Sequence, residues 1–358
     1  MIAGPFFVWA IVTLRGAARD HRTGRYNAGM PAPRSNPWTH YRDDPSSRLR
    51  IYDPGFLAVL GDGAKVEELV QTNAHEGPVY LDGALYFTTV PVDVSIPIEG
   101  FKQVAIRRLD LDSGQLHTVR EPSNMANGMT LDRAGNLIIC EQGTKTTPAA
   151  ISRLNPRTNE YTKLVEEWFG LPFNSPNDVV VRRDGSIWFT DPSYGFVQGF
   201  KPAPLLGNFV YRFEPESQRL SVVADNFNRP NGLAFSPDET ILYINDSGAA
   251  QGAGPYQPQL PHHIRAFEVS AGGEHLEQDR LITVVTPGIP DGLKVDSAGR
   301  IYSSAGNGVQ VYSPDGRMLG LIEVPGVANF TFGGPNNDTI YMMADTAIWS
   351  AKLSATGA

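Results

Sequence analysis

A short unit recurs six times along this 358-residue chain: a small polar signature, a strand, a tight polar turn and a second strand. The signatures begin at Glu76, Asn127, Asn177, Asn231, Asp291 and Asn329, in steps of 51, 50, 54, 60 and 38 residues. Four of them pair an acid or amide with glycine, as in Asn231-Gly232-Leu233 and Asp291-Gly292-Leu293. Strand-built repeats of roughly 40–50 residues are the mark of a β-propeller, in which each repeat is one blade. The expectation is therefore an all-β, six-bladed β-propeller with four-stranded antiparallel blades.

The second unit shows the anatomy. After Asn127-Gly128, residues 129–131 alternate as an inner strand, and Asp132-Arg133-Ala134-Gly135-Asn136 is a hairpin turn. Residues 137–141, 151–154 and 161–165 supply three more strands. The other units put Asp-Gly, Ser-Pro-Asp or Ala-Gly at the corresponding turns, where tight backbone geometry needs such residues. The sixth unit runs out of chain after three strands, at 330–332, 339–343 and 347–353. A segment upstream of the first unit, 65–71, is expected to supply the fourth. That pairing closes the ring and removes an exposed sheet edge. The propeller is thus expected to fill residues 49–358, after a mobile lead-in over 1–48 whose later part is rich in Arg, Pro, Ser and Asn.

Topology places the site. Strand one of each blade starts at the face where the signatures lie, and strand two returns there. The loops between strands two and three therefore stand on that face. They are long at 90–101, 191–208 and 246–263, and short in the fifth and sixth blades. Long loops over a rigid scaffold are usual places for binding residues.

Bulk properties exclude some partners. The net charge of −8 leaves no basic stripe to neutralise phosphates, which argues against nucleic acid. The apolar run at 2–14 is too short to span a membrane; it has the length of a signal-peptide core, without a preceding positive charge. Localisation stays open between secretion and the cytoplasm, and oligomeric state is not readable. The one cysteine, Cys140, lies mid-strand and is expected to be a buried structural thiol. Asn-x-Ser/Thr triplets begin at Asn245, Asn329 and Asn337.

The lead residues of the six signatures converge on the axis of a propeller. Glu76 and Asp291 are anionic there, and Asn177 and Asn231 offer neutral carbonyl oxygens. Two carboxylates with amide oxygens suit a hard divalent cation and leave positions for water and substrate. Asn-Gly and Asp-Gly also suit left-handed turn geometry, so single copies carry a second explanation; Glu76 does not. Asn329 belongs to the most degenerate copy and is expected to be dispensable for catalysis. Gly-x-Ser-x-Gly, a Walker or Rossmann glycine pattern in a βα context and a Cys/His zinc cluster are all missing from the sequence.

The segments Pro176-Asn177-Asp178-Val179, Asp184-Gly185-Ser186-Ile187-Trp188-Phe189-Thr190-Asp191-Pro192, His75-Glu76-Gly77-Pro78, Arg229-Pro230-Asn231-Gly232 and Pro290-Asp291-Gly292 resemble the gluconolactonase/SMP-30 (regucalcin) family, over about residues 50–353. Its fungal and bacterial gluconolactonase and lactonohydrolase branch is the nearest. The resemblance implies one catalytic divalent cation on the axis, calcium first, with zinc, manganese or magnesium as the other options. It puts the family's glutamate ligand on Glu76, its asparagines on Asn177 and Asn231 and its aspartate on Asp291. It implies lactone hydrolysis by an activated water, with a small lactone as partner. Asp291 is the first candidate to accept the water's proton, and Asp246 or Asp191 is the alternative. Asn127, Tyr194 and His263 are the candidates for touching substrate. Gln142 stands where this branch often has histidine. Two other readings share the site: a phosphotriesterase- or arylesterase-like or biosynthetic tailoring hydrolase, and a calcium-binding propeller without activity.

Overall fold

The computed structural model describes residues 47–61, 63–91, 103–250 and 254–358. The run at 2–14, nearly all of the 1–48 lead-in and most of the 90–101 loop lie outside these residues. The chain forms a six-bladed β-propeller of antiparallel blades, as the repeat spacing predicts. The inner strands are Glu76–Leu81, Ala126–Leu131, Val179–Val181, Pro230–Phe235, Leu293–Val295 and Asn329–Gly333. Each touches the inner strands of the blades before and after it, so the six close a ring.

Blade two is representative. Ala126–Leu131, Leu137–Glu141, Ala150–Leu154 and Tyr161–Val165 pair in that order. Turns do as their composition requires: in blade one Asp82 and Gly83 both take positive φ, 50° and 77°, which joins Leu81 to Ala84 in a two-residue hairpin. Blade six takes Val66–Ala74 as its outer strand against Asp345–Lys352. The closure expected at 65–71 is therefore present and runs three residues further, up to the signature at His75-Glu76. One element had no signal in the repeats. Leu49–Ile51 adds a fifth strand to blade five, pairing with Met318–Ile322. Leu49 and Ile51 are buried, and Phe56 behind them packs where a Cβ on Gly320 would stand.

The core is six separate hydrophobic layers, one in each gap between neighbouring blades. Strand alternation divides each blade between two gaps. In blade two Leu137 and Ile139 pack toward blade one, while Ile138 and Cys140 pack toward blade three. Cys140 is fully buried, and burial pushes its thiol well above its ordinary pKa, which fits the structural role.

The signature glycines have a specific cause. Gly128, Gly232 and Gly292 do not take positive φ. Instead, a Cβ on Gly232 would lie 2.2 Å from the Asp291 carbonyl oxygen, and one on Gly128 would lie 2.5 Å from that of Asn177. Close approach of the next inner strand, not turn geometry, excludes a side chain. The contact is a bond: Gly232 N–H donates to Asp291 O at 3.0 Å, and Gly128 N–H to Asn177 O at 2.8 Å. Gly232→Ala must push two blades apart and should cost about 1–3 kcal/mol. An unchanged urea midpoint for this variant would remove close approach as the reason for the glycine.

Candidate active site

Irregular pairing aims the lead residues at the axis. Register shifts fall between Glu76 and Val79, between Ala126 and Met129, and between Pro230 and Leu233. In blades three and five, pairing begins only at Val179 and Leu293, two residues past the lead. Bulges of this kind re-aim a side chain out of the ladder. Blade six, without the glycine, pairs regularly from Asn329 to Met343.

The next ring outward fixes the lead residues' carbonyls. Thr88 Oγ1 donates to Asn127 O, Thr190 Oγ1 to Asn231 O at 3.0 Å, and Asn245 Nδ2 to Asp291 O at 2.8 Å. Each donor sits on the second strand of the preceding blade.

Glu76, Asn177, Asn231 and Asn329 are at most 6% exposed, and Asp291 is half-buried. Burial and the Asp291 charge push Glu76 up to about 8; His75 and the Asn329 hydrogen bond pull against them. Burial pushes Asp291 up to about 6, opposed by the His75 charge and a hydrogen bond to the Asn231 side chain. His75 bonds Asp345 through Nδ1 at 2.6 Å. Burial disfavours the charged ring, but the Asp345 bond, Asp345 itself and the charges of Glu76 and Asp291 raise it to about 9.

Asn329, the sixth lead residue, and two polar residues that the repeats did not single out, Asp178 and Lys294, complete the channel. Asp178 is buried beside Asn177, its ionisation opposed by burial and favoured by Lys294. Asn329 Nδ2 donates to Glu76 Oε2 at 2.8 Å and reaches Asp178 Oδ2 at 3.4 Å. Lys294 Nζ reaches Asn329 Oδ1 at 3.5 Å. A signal existed: Asp178 replaces the signature glycine, and Lys294 breaks the pattern of uncharged residues at its position in the other copies. Asn329 is therefore not a spectator of the degenerate copy, because it holds a Glu76 oxygen.

Does this set fit a cation? Three buried or half-buried carboxylates, Glu76, Asp178 and Asp291, face two cationic groups, the Lys294 ammonium and the His75 ring, the latter already paired with Asp345. Burial is the main cause that raises all three pKa values, and neighbouring carboxylates add to it for Glu76 and Asp291. Asn127 Oδ1 is buried with no hydrogen-bond partner. Among the described residues no three His, Cys, Asp or Glu side chains group closely enough to hold a metal, so a cation here would need the amide oxygens as well. Oxygen-only donors with excess negative charge suit a hard divalent cation.

The remaining candidates divide. Tyr194, on the short helix Tyr194–Val197, is buried with its hydroxyl bonded to Ser247 and within range of Asp291, Arg229 and Asp246. Asp246 accepts the N–H groups of Asn228 and Arg229, both at 2.8 Å, and that of Gly248 at 3.2 Å. Asp191 likewise accepts from Asn174 and Ser175 N–H at 2.9 and 2.7 Å. Both carboxylates clamp the segment that leads into their own blade's signature. His263 stands in the third strand of blade four and lines, with Asn228, Asp246 and Asp279, a separate cavity of about 550 Å³. Of the Asn-x-Ser/Thr triplets, those at Asn245 and Asn329 are buried.

With this geometry in hand, comparison is informative. The sequence matches the SMP-30/gluconolactonase/LRE-like region over residues 74–346, and the chain belongs to that family. It is 29% identical to a gluconolactonase of Zymomonas mobilis, covering 87% of each chain. It is 28% identical to the lactonohydrolase oryL of Aspergillus oryzae, covering 83% of this chain and 73% of that one. The structure of a gluconolactonase from Xanthomonas campestris superposes with a TM-score of 0.70 at 32% identity, over 85% of this chain and 94% of that one.

Asp246→Ala should separate clamp from catalyst. It leaves buried N–H groups without an acceptor, at about 1–3 kcal/mol, and its deficit should appear as a lowered melting temperature. Complete loss of turnover in a variant with wild-type stability would instead make Asp246 a catalytic group.

Proposed function

We propose that the protein hydrolyses a lactone at the signature-face mouth of the axis. Glu76, Asn177, Asn231 and Asp291 would hold one divalent cation, with calcium preferred because every donor is oxygen. The observation that carries this reading is the axial set itself, whose inner strands bulge or start late at the signature and whose three carboxylates are buried or half-buried together. The lactone as substrate comes from the relatives: a gluconolactonase, a lactonohydrolase and, at 26% identity, a pentonolactonase of Haloferax volcanii.

A cation bound there supplies Lewis-acid polarisation of the ester carbonyl and acidifies water. The residues supply position and proton transfer. Asp291, half-buried and bonded by Asn231, accepts a proton from the attacking water. The water oxygen bonds to the carbonyl carbon, the ring C–O bond breaks, and the proton passes to the departing ring oxygen. Tyr194, held by Ser247 near Asp291, orients the substrate. Asn127 presents its unpartnered Oδ1 from the neighbouring blade.

Acid release from a lactone panel should stop with chelator and return with calcium. Asp291→Ala should abolish turnover while leaving far-ultraviolet circular dichroism unchanged; full activity in that variant ends the axial reading. Cation binding has its own readout. Calcium at about a hundred times its Kd should stabilise the fold by about 2.7 kcal/mol. Asn329→Ala, by releasing Glu76, should shrink the calcium-dependent rise in melting temperature. An undiminished rise would show that Asn329 does not support the site.

A further inference from the structure

A second cavity, of about 330 Å³, opens on the signature face between the loops of blades two and three. Its position relative to the axis is set by sequence neighbours. Ser175 lines it and stands two residues before Asn177; Ser193 lines it and immediately precedes Tyr194. Its walls come from 144–148, 172–175 and 201–205.

The chemistry of the walls is hydrocarbon. Pro148, Pro172, Phe173, Phe196, Pro204 and Leu205 carry most of it. Leu205 is 67% exposed and Phe196 48%, although both line a concave site. The apolar rim continues outward. The hairpin of Glu167–Trp168 with Leu171–Pro172 leads into the wall and leaves Phe169 87% exposed at its tip. Contiguous exposed apolar surface beside a cavity marks a binding site.

Three of the polar side chains in the walls are engaged with the protein, while Asn174 Oδ1 is buried there without a hydrogen-bond partner. Lys201 Nζ donates to Phe173 O at 3.2 Å, and Thr144 Oγ1 accepts the N–H of Thr147 at 3.0 Å. Ser175 Oγ accepts Gly195 N–H at 2.8 Å. A polyhydroxylated ring entering here would exchange water for hydrocarbon over most of its surface, with too few polar partners to replace the bonds it loses, which is unfavourable. An alkyl or aryl group would gain.

We propose that this cavity is a subsite for an apolar substituent, so that the preferred substrate is a lactone bearing an alkyl or aryl group rather than a bare polyhydroxylated one. The inference rests on the lactone-hydrolase reading and adds the substrate class. The test compares kcat/KM for γ-lactones with progressively longer alkyl side chains and for glucono-δ-lactone, with calcium present. Each added methylene should raise kcat/KM about fourfold until the cavity fills. Leu205→Asp and Ala203→Trp, both at exposed positions, should flatten that series while retaining turnover of the unsubstituted γ-lactone. A flat series in the wild type, or a steep series that survives both substitutions, overturns the subsite but leaves the hydrolase reading standing. Turnover of no lactone at all overturns the hydrolase reading and the subsite with it.

Discussion

Closure of the ring is the constraint on which everything else depends. A propeller blade has apolar residues on both faces and cannot bury them alone, so each of the six cores exists only between two blades. The last gap is secured because blade six takes its outer strand, Val66–Ala74, from the chain just upstream of blade one. That strand runs straight into His75-Glu76, so the strand that closes the ring also delivers a carboxylate to the axis. Closing the ring and assembling the site are one event.

The site's chemistry follows from crowding. Inner strands approach so closely that three signatures need glycine to avoid a neighbour's backbone. The same proximity gathers side chains from five blades and strips their water. Burial then makes each carboxylate costly, a cost that a cation on the axis would relieve. Where the glycine is missing, the channel gains contacts. Asp178 places a third carboxylate in it, and Asn329 reaches across to both Asp178 and Glu76.

Most of this was legible in the sequence because it is periodic. Six signatures at near-constant spacing give the blade count, the shared face and the lead residues, and the truncated sixth copy points to a borrowed strand. What escaped was aperiodic. Leu49–Ile51 is three residues long and belongs to no repeat, and only its packing on blade five gives it a place. Asn329 looked unimportant because its copy is degenerate, yet degeneracy reflects a regular strand rather than an idle side chain. Asp191 and Asp246 share a position with one another and so looked like a pair of bases. Their partners are backbone N–H groups that sequence alone does not pair with them. His263 adjoins a long loop, but the register sets it in the third strand, beyond the axial layer.

The carbonyl ties between blades are not equal around the circle. Threonine, threonine, asparagine and serine make them in blades one, three, four and five, with Ser304 Oγ holding Ala328 O at 2.8 Å. The same place in blades two and six is taken by Cys140 and Met343, both fully buried, whose sulfur is a weak hydrogen-bonding atom. Two of the six joints are therefore soft. One adjoins Asn177, and the other is the seam between blade six and blade one at Glu76. Asn231 and Asp291 thus have their carbonyls fixed by a side chain of the preceding blade, while at Glu76 and Asn177 the same place offers only sulfur.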